Sequence, residues 1–322
     1  MSKYKVVMGE KTYYRTYSKY LFDRFGEKVY RVSLDAGLGC PNRDGTLGSQ
    51  GCVFCSDMGS WGGSGEGKPL AEQVRLEKER VRRRYGARRF IAYFQAFSNT
   101  YAPVEELKSL YDSVLLHDEE MVGLAVGTRP DCIDHAKLEL ISSYRRTNRE
   151  VWIEYGLQSA HDRTLELIGR GHDVKTFVHA ALQTHKHGIG VFAHVIIGLP
   201  GEGRDENIET AEFLSSLPVE GVKVHNLNII RGTPLERWFA EGRVSPLQLD
   251  EYAERVVDFL ERTDPEVAVA RLTTDTTPEL LIEPKWSLDK NAALTRTREI
   301  FARRESYQGR LYRGMHGTNV QP

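Results

Sequence analysis

Six short runs of β-branched and aromatic residues, alternating with amphipathic stretches, leave this chain of 322 residues few folds to choose from. The runs are Tyr30–Leu34, Phe90–Phe94, Met121–Val126, Val151–Tyr155, Val191–Ile197 and Val222–Ile229. Between them Leu70–Tyr85, Val104–His117, Asp134–Arg146, Val174–His187 and Asn207–Leu217 carry apolar residues at helical spacing, as with Leu70, Val74, Val81 and Tyr85. Strands alternating with helices make parallel βα units. Six in series predict an α/β fold, a partial (βα)6 TIM-like barrel, with its chemistry on the loops at the C-terminal ends of the strands.

The pattern divides the chain into an N-terminal basic and aromatic extension (1–27), the barrel (28–236) and a C-terminal accessory segment (237–322). The accessory segment holds expected helices at Leu247–Arg262 and Ala292–Arg304 and a strand at Val267–Leu272; Glu283-Pro284-Lys285-Trp286 reads as a turn with a packed Trp. In the extension Lys11, Arg15, Lys19 and Arg24 interleave with Tyr13, Tyr14, Tyr17 and Tyr20. Such a segment either contacts nucleic acid by charge and stacking or lies as a helix across the barrel with its tyrosines underneath.

The loop after the first strand, Gly37 to Trp61, concentrates three of the four cysteines. Eleven residues separate Cys40 from Cys52, and two separate Cys52 from Cys55. Glycines there let the backbone wrap a metal centre. Structural zinc takes four protein ligands, yet the next His is His117 and the remaining cysteine is Cys132. Three local thiolates suit a four-iron cluster with one iron left open. A zinc loop completed by Cys132, or redox-inert buried thiols, are the other readings. Cysteines bunched in this way argue against disulfides and for a reducing compartment. A net charge of −1 excludes a strong global field for nucleic acid or membrane. No apolar run approaches the ~20 residues of a membrane span, and the N-terminus lacks an apolar signal core, so the expected location is cytoplasmic, with no membrane partner.

Cys40…Cys52-Val53-Phe54-Cys55, with an aromatic before the last Cys, resembles the cluster loop of radical S-adenosylmethionine (SAM) enzymes. Ile153-Glu154-Tyr155-Gly156-Leu157-Gln158-Ser159 with Arg170-Gly171-His172 is similar to the E-x-G-x-Q-S … R-G-H pattern of the elongator-like and coproporphyrinogen-oxidase-like branches. Thr128-Arg129-Pro130-Asp131, Gly198-Leu199-Pro200-Gly201-Glu202 and Val222-Lys223-Val224-His225-Asn226 extend the likeness, which runs from about Tyr30 to Leu235. Ser33–Cys55, Phe94–Pro103 and Pro284–Leu288 resemble the YhcC/YtqA-like family within it.

The resemblance implies a [4Fe–4S] cluster on Cys40, Cys52 and Cys55 whose open iron is chelated by SAM, cleaved after electron transfer to a 5′-deoxyadenosyl radical. It implies SAM contacts from Glu154, Gln158, Ser159 and Arg170, with Gly198 and Pro200 against adenine. The Gly-Gly that usually receives the SAM amino group reads Gln95-Ala96-Phe97-Ser98-Asn99-Thr100, so backbone carbonyls or the Ser98 and Asn99 side chains are the expected substitutes. The implied substrate is tRNA, with a wobble-uridine carboxymethylaminomethyl side chain reworked toward aminomethyl, and the implied electron donor is a flavodoxin or ferredoxin. Candidate RNA contacts are Arg82-Arg83-Arg84 with Arg88-Arg89, Arg145-Arg146 with Arg149, and Arg303-Arg304 with Arg310 and Arg313. Cys132 is a candidate hydrogen-atom donor or a buried structural thiol. A radical SAM enzyme on a small metabolite and a noncatalytic iron–sulfur or zinc-binding protein are the competing functions.

Overall fold

The computed structural model describes residues 12–56, 59, 67–147, 149–274 and 276–314. Lys11, the Trp61 end of the cysteine stretch and the Arg146 side chain lie outside the described residues.

Helix α1 (Tyr17–Phe25) starts on Thr16, whose hydroxyl accepts from Lys19 N, and stops at Gly26 in the left-handed conformation. Strands β1 (Val29–Leu34), β2 (Arg89–Phe94), β3 (Met121–Thr128), β4 (Glu150–Gln158), β5 (Gly190–Ile197) and β6 (Gly221–Asn226) follow, with helices α2 (Leu70–Tyr85), α3 (Val104–Leu115), α4 (His135–Ser143), α5 (Asp162–Leu167), α6 (Val174–Lys186) and α7 (Arg204–Ser215) between them. After a short β7 (Ile229–Ile230) come α8 (Pro234–Ala240), α9 (Leu249–Arg262), β8 (Ala268–Arg271), β9 (Leu281–Glu283) and α10 (Lys290–Arg303). The main sheet is wholly parallel, in the order β1-β2-β3-β4-β5-β6-β8.

The expected six-unit barrel is there, and the C-terminal segment adds a seventh strand, β8, beside β6. The predicted last strand divides: a turn after Asn226 sends Ile229–Ile230 into an antiparallel pair with Leu281–Glu283. Trp286 is packed as expected, its indole N–H donating to Leu247 O at 2.9 Å and its ring 5.0 Å from Tyr252.

Alternation along each strand sorts its residues to two faces. Val151, Ile153, Tyr155, Val191, Ala193, Val195, Val222 and Val224 point outward into the helical layer and form the main core. Ile91, Ala125, Trp152, Phe192 and Ala268 point inward and fill the end of the barrel where the strands begin. Helix α1 caps that end. Tyr17 meets Phe192 edge-on, and the Tyr20 hydroxyl accepts from the Trp152 indole at 2.8 Å while donating to Glu220 at 2.5 Å. Arg24 pairs with Glu150 and Glu220, and Arg15 with Glu266. Of the two readings of the extension, the described residues follow the packed helix. Its segment is stitched to the far end of the chain by Val269 N–H to Arg15 O (2.8 Å), Gln308 N–H to Tyr13 O (2.8 Å) and Arg15 N–H to Gln308 Oε1 (2.9 Å).

Candidate active site

The loops at the C-terminal ends of β1 to β6 bring the sequence motifs to one mouth. The long gap between Cys40 and Cys52 folds back on itself: Arg43 N–H donates to Cys40 O (2.9 Å), Leu47 N–H to Pro41 O (2.7 Å) and Gly51 N–H to Asn42 O (2.7 Å). That closed turn returns Cys52 beside Cys40. Beyond it, Val53 exchanges backbone bonds with two distant loops, donating to Ile168 O and accepting from Leu235 N–H, both at 3.0 Å.

Around the thiols the surroundings are cationic and donor-rich. Arg170 Nη1 lies 3.5 Å and Asn42 Nδ2 3.7 Å from Cys52 Sγ. Arg170 also donates twice to Gly156 O, at 2.7 and 3.2 Å, and so ties β4 to the cysteine loop. A Cβ on Gly156 would stand 2.6 Å from both the Arg170 guanidinium and the Gln158 amide, which explains the glycine in this motif. Arg129 is buried and held two-fold by Asp131 (2.8 and 2.7 Å), leaving its Nη1 without a partner. All four cysteines are free thiols. Burial, then the neighbouring Cys52, push the Cys55 thiol up to about 11, so a positive centre is needed to hold it as thiolate. Among the described residues no three Cys, His, Asp or Glu converge on the volume of a single ion. A four-iron cube binds each thiolate through a different iron, so this wider, donor-lined set fits the cluster.

The loop after β2 shows how a chain without the usual Gly-Gly reaches this site. Ala96 (φ 70°) and Phe97 (φ 49°) both adopt left-handed backbone that glycine favours. The turn buries Ser98 and Asn99, with Ser98 N–H on Gly39 O (3.2 Å) and the Asn99 amide on Ala96 O (2.8 Å) and Gly127 O (3.0 Å). Asn99 Oδ1 has no partner, and Ser98 Oγ lies against the Cys132 thiol; a buried, open amide oxygen fits an ammonium group.

The other expected contact residues stand at the ends of β4 and β5. The Ser159 hydroxyl donates to Glu202 and accepts from His161 N–H (3.0 Å), joining the β4 and β5 loops. At Gly198 (φ 96°) the missing Cβ makes room for the Leu247 side chain, 3.1 Å away. Pro200 lies in the half-buried turn that follows, and Gln158 (φ 78°) ends β4 at a register shift. Cys132 is buried; desolvation, then Asp131, push its thiol up to about 12, so it stays protonated.

Glu154 sits inside the barrel, at the centre of a charged layer that the sequence reading missed. Arg31 Nη2 lies 2.5 Å from Glu154 Oε1, while Lys223 Nζ (2.5 Å) and His194 Nε2 (3.0 Å) reach Oε2. Lys223 also donates to the Tyr93 hydroxyl at 2.7 Å. Burial alone would raise the Glu154 carboxyl, but Arg31, Lys223 and His194 hold it well below the usual range. With Arg31 already neutralising Glu154, burial drives the Lys223 ammonium down against the pull of that carboxylate, helped by Arg31 and Arg271. The signal was a charge at alternate positions of otherwise apolar runs, as in Tyr30-Arg31-Val32, Ala193-His194-Val195 and Val222-Lys223-Val224.

Most of the candidate RNA cations are engaged or distant. Arg82 pairs with Glu120 and Arg89 with Glu27; Arg149 donates to Met121 O and Leu115 O; Arg303 and Arg304 pair with Glu254. The ends of α2 and α4 lead into the starts of β2 and β4, so the first two clusters lie on the face opposite the cysteines.

A parallel α/β barrel whose mouth presents three free thiols among cationic donors has the make-up of a radical SAM enzyme, with a [4Fe–4S] cluster and SAM as cofactors. The chain belongs to the radical SAM superfamily: the profile of that superfamily matches residues 37–214, and that of the radical SAM C-terminal domain matches residues 219–302. More particularly it is similar to the uncharacterized protein YtqA of Bacillus subtilis, 40% identical over 93% of this chain and 92% of that one. Protein YhcC of Escherichia coli is 38% identical, over 82% of this chain and 84% of its own. A tRNA uridine(34) acetyltransferase of Dehalococcoides mccartyi is 26% identical over 53% of this chain and 37% of its own length. Among solved structures, an archaeal Methanocaldococcus infernus Elp3 superposes with a TM-score of 0.65 at 16% identity, covering 87% of this chain and 64% of that one, a likeness of fold. Among the described residues no helix is long and apolar enough to cross a membrane.

Proposed function

We propose that this radical SAM enzyme acts on tRNA, reworking a wobble-uridine carboxymethylaminomethyl side chain toward aminomethyl. Cys40, Cys52 and Cys55 would hold the cluster, with Arg170 and Asn42 donating to the Cys52 sulfur. Ser98 and Asn99 receive the amino group of SAM; Gln158 and Arg170 line its methionyl end, with Gly198 and Pro200 toward adenine. When bound, cluster and SAM supply a 5′-deoxyadenosyl radical that takes a hydrogen atom from the substituent at C5 of the base. A one-electron donor such as flavodoxin or ferredoxin completes the system, and the location proposed is cytoplasmic.

The observation that carries the substrate is kinship with a protein named for uridine 34 of tRNA. A basic and aromatic element beside the cysteine loop supports it. Helix α8, whose Leu235 bonds Val53, carries Arg237, with Arg231 just before it and Arg243 over the Trp238 ring at 4.6 Å; all three arginines are exposed. The near-neutral net charge of −1 favours the second reading, a small metabolite. Mass spectrometry of tRNA nucleosides from a deletion strain decides between them. The expected result is accumulation of the carboxymethylaminomethyl nucleoside, reversed by the wild-type gene and not by a Cys52→Ala copy; an unchanged profile transfers the proposal to the small molecule.

A further inference from the structure

The interior of the barrel changes character from one level to the next. The layer nearer α1 is filled by Ile91, Ala125, Trp152 and Phe192, as a barrel core ordinarily is. The next level sets Arg31, Lys223 and Arg271 around the single carboxylate of Glu154. Burial drives Lys223 toward the neutral amine, so a further carboxylate beside it would restore its charge. Register places this level under the cysteines: Gly156, whose carbonyl Arg170 holds beside Cys52, pairs with His194, and His194 pairs with Lys223.

His225 follows Lys223 by two residues on the same face of β6, its ring 5.4 Å from His194. The Thr274 hydroxyl donates to Asn226 O at 2.9 Å, so at its 3.3 Å contact with His225 Nδ1 it accepts. Nδ1 therefore carries the proton, and Nε2, buried and without a partner, presents a bare lone pair. One strand thus offers an amine, which an incoming carboxylate would hold as ammonium, and a hydrogen-bond acceptor side by side. Their complement is a carboxylate and an amine borne on one carbon.

We propose that Lys223 and His225 seat the carboxymethylamino end of the substrate side chain, Lys223 taking the carboxylate and His225 Nε2 accepting from the amine. This rests on the tRNA reading and adds the group by which the enzyme distinguishes substrate from product, since the aminomethyl product has lost that carboxylate. The same pair of groups exists on the methionyl end of SAM, and the test separates the two.

The experiment measures Kd of cluster-loaded protein, with SAM present, for anticodon stem-loop RNAs bearing carboxymethylaminomethyluridine or aminomethyluridine at the wobble position. Wild-type protein is expected to favour the carboxylate-bearing RNA by at least about tenfold, the scale of one charge-assisted hydrogen bond. Lys223→Met erases the preference, Lys223→Arg keeps it, and SAM affinity is unchanged in both. Equal wild-type affinity for the two RNAs, in a protein whose deletion strain does accumulate the carboxymethylaminomethyl nucleoside, overturns the seat and leaves the tRNA reading standing. Loss of SAM binding in Lys223→Met with the RNA preference intact overturns it in favour of the SAM carboxylate. An unchanged nucleoside profile removes the tRNA reading and the seat with it. The wild-type comparison decides even where the Met variant does not fold.

Discussion

His194 is held neutral inside a cationic layer. Burial, then the Lys223 charge, lower it to about 4, against the pull of Glu154. An unfolded chain takes up that proton near pH 6.5, so as pH falls from 6.5 to about 4 the unfolded state binds more protons and stability is lost. The loss is on the order of 3 kcal/mol. Denaturant titrations at several pH values in that window should show His194→Gln losing less than wild type; equal losses would place the effect on the other groups facing it, Glu154, Lys223, His225 and Arg271. At this scale the sequence showed what local spacing encodes. Cys52 and Cys55 are two residues apart and legible. Arg31, Glu154, His194 and Lys223 come from four strands and meet only through sheet register, so Glu154 could be read as a SAM contact while its partners stayed unseen. The left-handed pair Ala96 and Phe97 was hidden for another reason, since neither residue type advertises that backbone.

Strand and helix cores were legible from periodicity, their ends less so. The stretch expected as a helix from Asp134 to Arg146 is capped by Asp134 and tightens into a 3-10 turn after Ser143. Basic runs at helix ends were read for RNA because charge is visible in sequence while the opposing carboxylates of neighbouring elements are not. Strand β6 begins on Gly221, where a Cβ would overlap the Phe192 ring. Gly221→Ala must displace that buried ring or the strand, and a destabilisation of roughly 1–3 kcal/mol is expected. Chemical denaturation of the variant measures it; a neutral result would mean that the Phe192 side chain has room to rotate.

Seen whole, the barrel and the C-terminal segment share one sheet. Without β8, strand β6 becomes an exposed parallel edge. A chain ending at residue 236 is expected to lose cooperative thermal unfolding by circular dichroism and to aggregate, whereas a cooperative melt would make 28–236 an independent unit. The segment was read as accessory because its single short strand carries little signal and its partner lies far back in the chain, Ala268 pairing with Gly221. The N- and C-terminal stitches have a further consequence, in the order of synthesis. Arg15 is translated 293 residues before Gln308, so at rates of roughly 5–20 residues per second the α1 cap waits about 15–60 s for its fastening. The cysteine loop is translated early in that interval, and iron loading during it would meet a barrel whose floor is still unlatched.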